Sequence, residues 1–222
     1  LEKIKNAMKG EFIPAKRWLV EDGNEILEKA KEKNVVLLSY GDPYIATTHI
    51  ELRTRAIELK IKTQSIHASS SLTSMIGECG LHFYKIGRIA TIMSEMKSLT
   101  TPYDIIYKNI IAGNHTILLL EYNQDKDFFL DPKDALKGLL ETEKGQKRNV
   151  LTESSYAIVA SRIGFKDQTI ISGKISSLAE IDFREPPHTV IITGRLHFTE
   201  SDALKLFGQC IDEPFDNSEK TE

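Results

Sequence analysis

The chain has 222 residues, 41% of them hydrophobic and 27% charged, enough for one large domain or two small ones with separate cores. Against 32 acidic residues stand 29 basic ones, a net charge of −3, without the basic excess that nucleic-acid binders present. No apolar run is long enough to span a bilayer, no signal-peptide pattern opens the chain, and Cys79 and Cys210 are too far apart for metal-ligand spacing, so they read as buried thiols of a cytoplasmic protein.

The chain starts at Leu1, which suggests trimming before it. The opening "LEKIKNAMKG" predicts a helix ending near Gly10, and Trp18 to Val20 a short strand. "EDGNEILEKAKEKN" predicts a helix with Ile26, Leu27 and Ala30 on one face and Asp22 or Asn24 as cap. "VVLLSY" is a continuous β-prone apolar run, the pattern of a strand covered on both faces. Helical spacing returns in "TTHIELRTRAIELK", and "IKTQSIH" alternates as a strand. "SSSLTSMIGECG" predicts a helix with a glycine stop, and "RIATIM" a strand.

The polar stretch Ser94 to Pro102 is taken as a boundary, dividing an N-terminal α/β domain, residues 1–97, from a C-terminal one, residues 98–222. After it come a helix capped by Thr101 with Pro102 at its first position, a buried strand in "HTILLLEY", and a helix starting at Asp131-Pro132. "SYAIVASRI" and "TIISGKI" are too close for a helical crossover and predict an antiparallel pair. "HTVIITG" is read as the last strand, "TESDALKLFG" as a closing helix capped by Thr199, and "DEPFDNSEKTE" as a frayed tail. Alternating strands and helices make an α/β protein, its first sheet mainly parallel and its second mixed.

In open α/β sheets ligands gather beyond the carboxyl ends of strands. Gly41, Asp42 and Pro43 stand at such an end. There Gly41 admits a close approach to the backbone, and Asp42 offers two acceptor oxygens. The same three residues also read as a helix start with Asp42 as N-cap, and both readings stand open here. The chain has no GxGxxG, no GKS or GKT, no G-x-S-x-G and no HExxH, which argues against NAD, ATP, serine-hydrolase and zinc-protease sites. The six histidines form no ligand pair on one helix; His188, after "EPP" at the start of an apolar strand, is placed to face an inter-domain cleft.

Four ordered segments carry a resemblance: "GDPYIATTHIELRTRA", "IHASSSLTSMIGECGLHFYKIG", "PYDIIYKNIIAGNHTILLLEY" and "DFREPPHTVIITGRLHF". Together, from about residue 1 to Gly208, they resemble the diphthine synthase family, whose fold is that of the tetrapyrrole methylases. The resemblance implies two α/β domains with S-adenosylmethionine held in the cleft between them, and no metal. It implies methylation of the amino group of the modified histidine on translation elongation factor 2, in diphthamide biosynthesis, by a cytoplasmic homodimer. It also implies donor contacts at Asp42, Ile45, Ser70, Ser71, Leu120, Ile163 and His188, and names no catalytic base. The family's first strand and its Gly-Leu-Gly-Leu loop have no counterpart after Leu1, and the complete protein is expected to carry them. A methylase of the same fold acting on a tetrapyrrole or other small acceptor, and a non-catalytic degenerate module, are the alternatives.

Overall fold

The computed structural model describes residues 2–123 and 125–214, with Met96 described by its backbone alone. The chain divides into two compact units, residues 1–70 and 71–222.

The first unit contains α1 (Glu2–Ala7), α2 (Arg17–Asp22), α3 (Asn24–Glu32) and α4 (His49–Glu58). Trp18 to Val20, expected as a strand, lies inside α2. Gly23, in a left-handed conformation, closes that helix by donating its N–H to the Leu19 carbonyl. Gly23 also occupies the N-cap position of α3, while Asp22, one of the two expected caps, accepts the Asn24 N–H at 3.2 Å from the residue before it. Leu27, Leu52 and Ala56 form a small core, with Val20, Ile26, Leu37 and Ile61 packed against it. Among the described residues the runs "VVLLSY" and "IKTQSIH" belong to no helix and no sheet, so the expected mainly parallel first sheet is not formed. A strand exists through its cross-strand ladder, whereas an apolar run encodes only fitness for burial. Here Val36 is 71% and Tyr40 96% exposed.

The second unit runs α5 (Ser71–Glu78), β1 (Ala90–Ile92), α6 (Thr100–Ile111), β2 (Thr116–Leu120), β3 (Tyr122–Asn123), β4 (Phe128–Phe129), α7 (Pro132–Gln146), β5 (Tyr156–Ser161), β6 (Thr169–Lys174), α8 (Ile175–Leu178), β7 (His188–Ile192), α9 (Phe198–Phe207) and β8 (Gln209–Cys210). Six strands form one mixed sheet in the order β1-β2-β7-β5-β6-β8, parallel at its two outer pairs and antiparallel within. The antiparallel β5–β6 pair is as the short connection required. The residue 97/98 division falls between β1 and β2, which are neighbours in this sheet.

Alternation along the strands explains the layering. Ala157, Val159, Val190, Ile192 and Leu118 face a core closed by Tyr103 and Ile106 of α6, Leu136 and Leu139 of α7, and Ile175 and Leu178 of α8. Tyr156, Ile158, Ile191 and Ile117 face the opposite core, closed by Met75 and Ile76 of α5 and Leu204 of α9. Both faces of the sheet are therefore covered, and each fully buried Leu or Ile contributes about 1.5–3 kcal/mol.

Several helix starts differ from expectation. The α6 helix begins at Thr100, with Leu99 in the cap position. The α9 helix is capped by His197, whose Nδ1 accepts the Thr199 N–H. The β8 strand follows the helix that was expected to close the fold. Of the tail expected to fray, residues 215–222 lie outside the described residues. Among the described residues no helix is long and apolar enough to cross a membrane.

Candidate functional site

In the first unit the candidate residues gather at the turn after Tyr40. Gly41 has φ +69, and a Cβ built there would lie 3.2 Å from the Ser69 carbonyl oxygen and 3.8 Å from the Ser70 Cα. The chain thus needs a residue tolerant of the left-handed region, and the turn is brought against the backbone of Ser69 and Ser70. Gly41→Ala is expected to cost about 1–2 kcal/mol from backbone strain, seen as a lower urea midpoint with an unchanged m-value.

Asp42 does not cap a helix, because α4 starts only at His49. Asp131 does: its carboxylate accepts the Lys133 N–H, with Pro132 opening α7. The two Asp-Pro pairs, alike in sequence, therefore take different local structures. Asp42 Oδ1 accepts the Tyr44 N–H at 2.9 Å, and the His67 Nδ1–H donates to Oδ2 at 2.8 Å. The Tyr44 N–H, together with His67 and the Ala68 N–H, holds this carboxyl below the usual range. Asp42 is 8% exposed and Ser70 is equally buried. Ile45 donates its N–H to the Asp42 carbonyl at 3.4 Å, and its side chain is 38% exposed. Thr47 Oγ1 and His49 Nδ1 both donate to the Pro43 carbonyl, fixing the exit of the turn.

In the second unit, Leu120, Ile163 and His188 come to one edge of the sheet. Leu120 ends β2 opposite Ile92, and Leu119 beside it pairs with Thr189. His188 opens β7 opposite Ser161, the last residue of β5, and Ile163 lies two residues beyond Ser161. The carboxyl ends of β1, β2 and β5 and the amino end of the antiparallel β7 thus share this edge. Leu120, Ile163 and His188 are half-buried there. Ser71 starts α5 with an exposed side chain.

His188 Nδ1 lies 2.8 Å from Ser161 Oγ, and the ring also donates to the Arg184 carbonyl. Burial pushes the imidazole below its ordinary value, so it is neutral at pH 7. Its pH linkage follows from that direction: the neutral ring's contribution to folding is present above about pH 6.5 and is lost as pH falls through the lower folded value.

Sequence reasoning missed the partners of these residues. His67 lies 25 positions from Asp42, and Ser161 lies 27 positions from His188. No local pattern announces pairs at such separations. Among the described residues no group of three or more His, Cys, Asp or Glu is placed to hold a metal.

A family profile described as tetrapyrrole (corrin/porphyrin) methylases matches residues 6–179. A diphthine synthase of Methanococcus vannielii is 38% identical over 208 residues, which is 92% of this chain and 81% of that protein. The chain belongs to the diphthine synthase family. A second diphthine synthase, from Methanocaldococcus jannaschii, is 37% identical over 209 residues and likewise covers 92% of this chain and 81% of its own. A crystal structure of diphthine synthase superposes with a TM-score of 0.83 at 29% identity, covering 94% of this chain and 80% of that one. The membership makes this diphthine synthase homologue an S-adenosylmethionine-dependent methyltransferase of diphthamide biosynthesis.

Proposed function

We propose that the protein methylates the amino group of the modified histidine of translation elongation factor 2, with donor contacts at Asp42, Ile45, Ser70, Ser71, Leu120, Ile163 and His188. Family membership supports the chemistry, and the meeting of Leu120, Ile163 and His188 at one sheet edge is the structural observation that carries the donor contacts. The residues fit such a donor. Asp42 is an ionised acceptor for hydroxyl or amino groups, Gly41 leaves the backbone bare, and Leu120 and Ile163 offer apolar surface to an adenine ring.

S-adenosylmethionine supplies a methyl group on a sulfonium that is already a good leaving group, so the reaction asks for no metal. This chain's side chains bind and orient the donor and keep water from it, and alignment of this kind is worth about 7–11 kcal/mol in well-held reactants. His188 is a binding residue, because its ring is engaged with Ser161 and with the Arg184 carbonyl. The same proposal includes a cytoplasmic homodimer and a protein acceptor with no nucleic acid or membrane partner.

The deciding experiment incubates the protein with methyl-labelled S-adenosylmethionine and elongation factor 2 carrying the unmethylated modification. Label on that histidine's amino group is the expected result. Label on a corrin or porphyrin offered in parallel, and none on the factor, would replace this acceptor with the one that the wider family's description suggests.

A further inference from the structure

Arg162 follows β5 with φ +54, a left-handed conformation that is sterically unfavourable for a residue with a side chain. That turn sends its main-chain N–H to the Pro187 carbonyl at 2.9 Å. Its guanidinium Nη1 donates to the Pro186 carbonyl at 3.0 Å. The guanidinium carbon lies 4.6 Å from the centre of the Phe165 ring. Nε is closed off from water and forms an ion pair with Asp167 Oδ2 at 2.8 Å. The Arg162 carbonyl in turn accepts the Phe165 N–H at 2.9 Å. One residue therefore ties together two connections. One leaves β5 carrying Ile163, and the other, through Pro186 and Pro187, enters β7 at His188.

We infer that Arg162 is a positioning residue for the donor, setting the spacing of Ile163 and His188 through its contacts with the Pro186 and Pro187 carbonyls. The inference rests on the donor contacts proposed above and deepens them. Arginine suits the task because a flat guanidinium can serve a carbonyl, a carboxylate and an aromatic face together, which a lysine ammonium cannot. The main-chain bond to Pro187 survives any side chain, so substitutions at 162 test the side chain alone.

The test is calorimetric titration of the full chain with S-adenosylhomocysteine, for wild type, Arg162→Met and Arg162→Lys, alongside thermal melts. Arg162→Met is expected to raise Kd about 10-fold, the scale of one charge-assisted hydrogen bond. KM for S-adenosylmethionine should rise in parallel, kcat should change by less than about 2-fold, and Tm should stay near that of wild type. Arg162→Lys, which keeps the charge beside Asp167, should fall between the two. A Kd within 2-fold of wild type in both variants would overturn the inference. So would lowered melting or binding stoichiometry with an unchanged Kd, the mark of a purely structural role. Should wild type itself give no heat, the donor reading fails first, and the two failures are thereby told apart.

Discussion

Glu200→Gln should lower the folding free energy by about 3–5 kcal/mol, the range for removing one partner from a buried ion pair. Glu200 is fully buried in the second unit. Its carboxylate accepts the main-chain N–H groups of His82 and His197, each at 2.8 Å, the Nε2–H of His115 at 3.1 Å and the Lys85 ammonium at 2.5 Å. His115 is fixed as the Nε2–H tautomer, because its Nδ1 accepts the Gly194 N–H at 3.0 Å. The carboxylate thus ties the segment before β1, the start of β2 and the first turn of α9 to one another. Burial alone would push this carboxyl up; hydrogen bonds from His115, the His197 N–H, Lys85 and the His82 N–H outweigh it and hold the group well below the carboxylate range. The folded value lies below the unfolded one of about 4.3. Its stabilisation is therefore complete above that pH and is lost as pH falls through the folded value. Urea denaturation should show the loss for wild type below about pH 4, and a flatter profile for the variant.

Asp42→Asn should weaken S-adenosylmethionine binding by about 10- to 100-fold, the scale of charge-assisted hydrogen bonds to a ligand. The melting temperature should stay close to wild type. An amide oxygen can still accept the Tyr44 N–H that shapes the turn, while the charge facing His67 is gone. Asp42→Ala, which also frees the Tyr44 N–H, should loosen the turn as well as the affinity. Calorimetry on both variants checks this, and wild-type affinity in Asp42→Asn would remove this carboxylate from the donor site.

The sequence made the second unit legible wherever information is local. β2, β5, β6 and β7 were visible as apolar runs, and α7 was visible through Asp131-Pro132, because periodicity and capping lie within a few residues. The first unit was less legible. "VVLLSY" has a strand's composition, but composition says nothing about which neighbours offer a ladder. Trp18 to Val20 was misread because three apolar residues carry no period, and the αL glycine at 23 decided the outcome. In the first unit the end of an expected strand pointed to Asp42, and in the second the start of an apolar strand pointed to His188. Their partners His67 and Ser161, and the clasp at Arg162, depend on how distant segments meet. The capping of α9 by His197 and not Thr199 is a smaller case: both residue types can accept an N–H, and the phase of the helix chose between them.

The two outermost positions of the six-stranded sheet are taken by its shortest members, β1 with three residues and β8 with two. The longest ladders, between β5, β6 and β7, are enclosed. Short borders leave little template on which another molecule could extend the sheet. In a crowded cell this arrangement disfavours runaway strand-to-strand polymerisation of the second unit, a safeguard encoded by strand length alone.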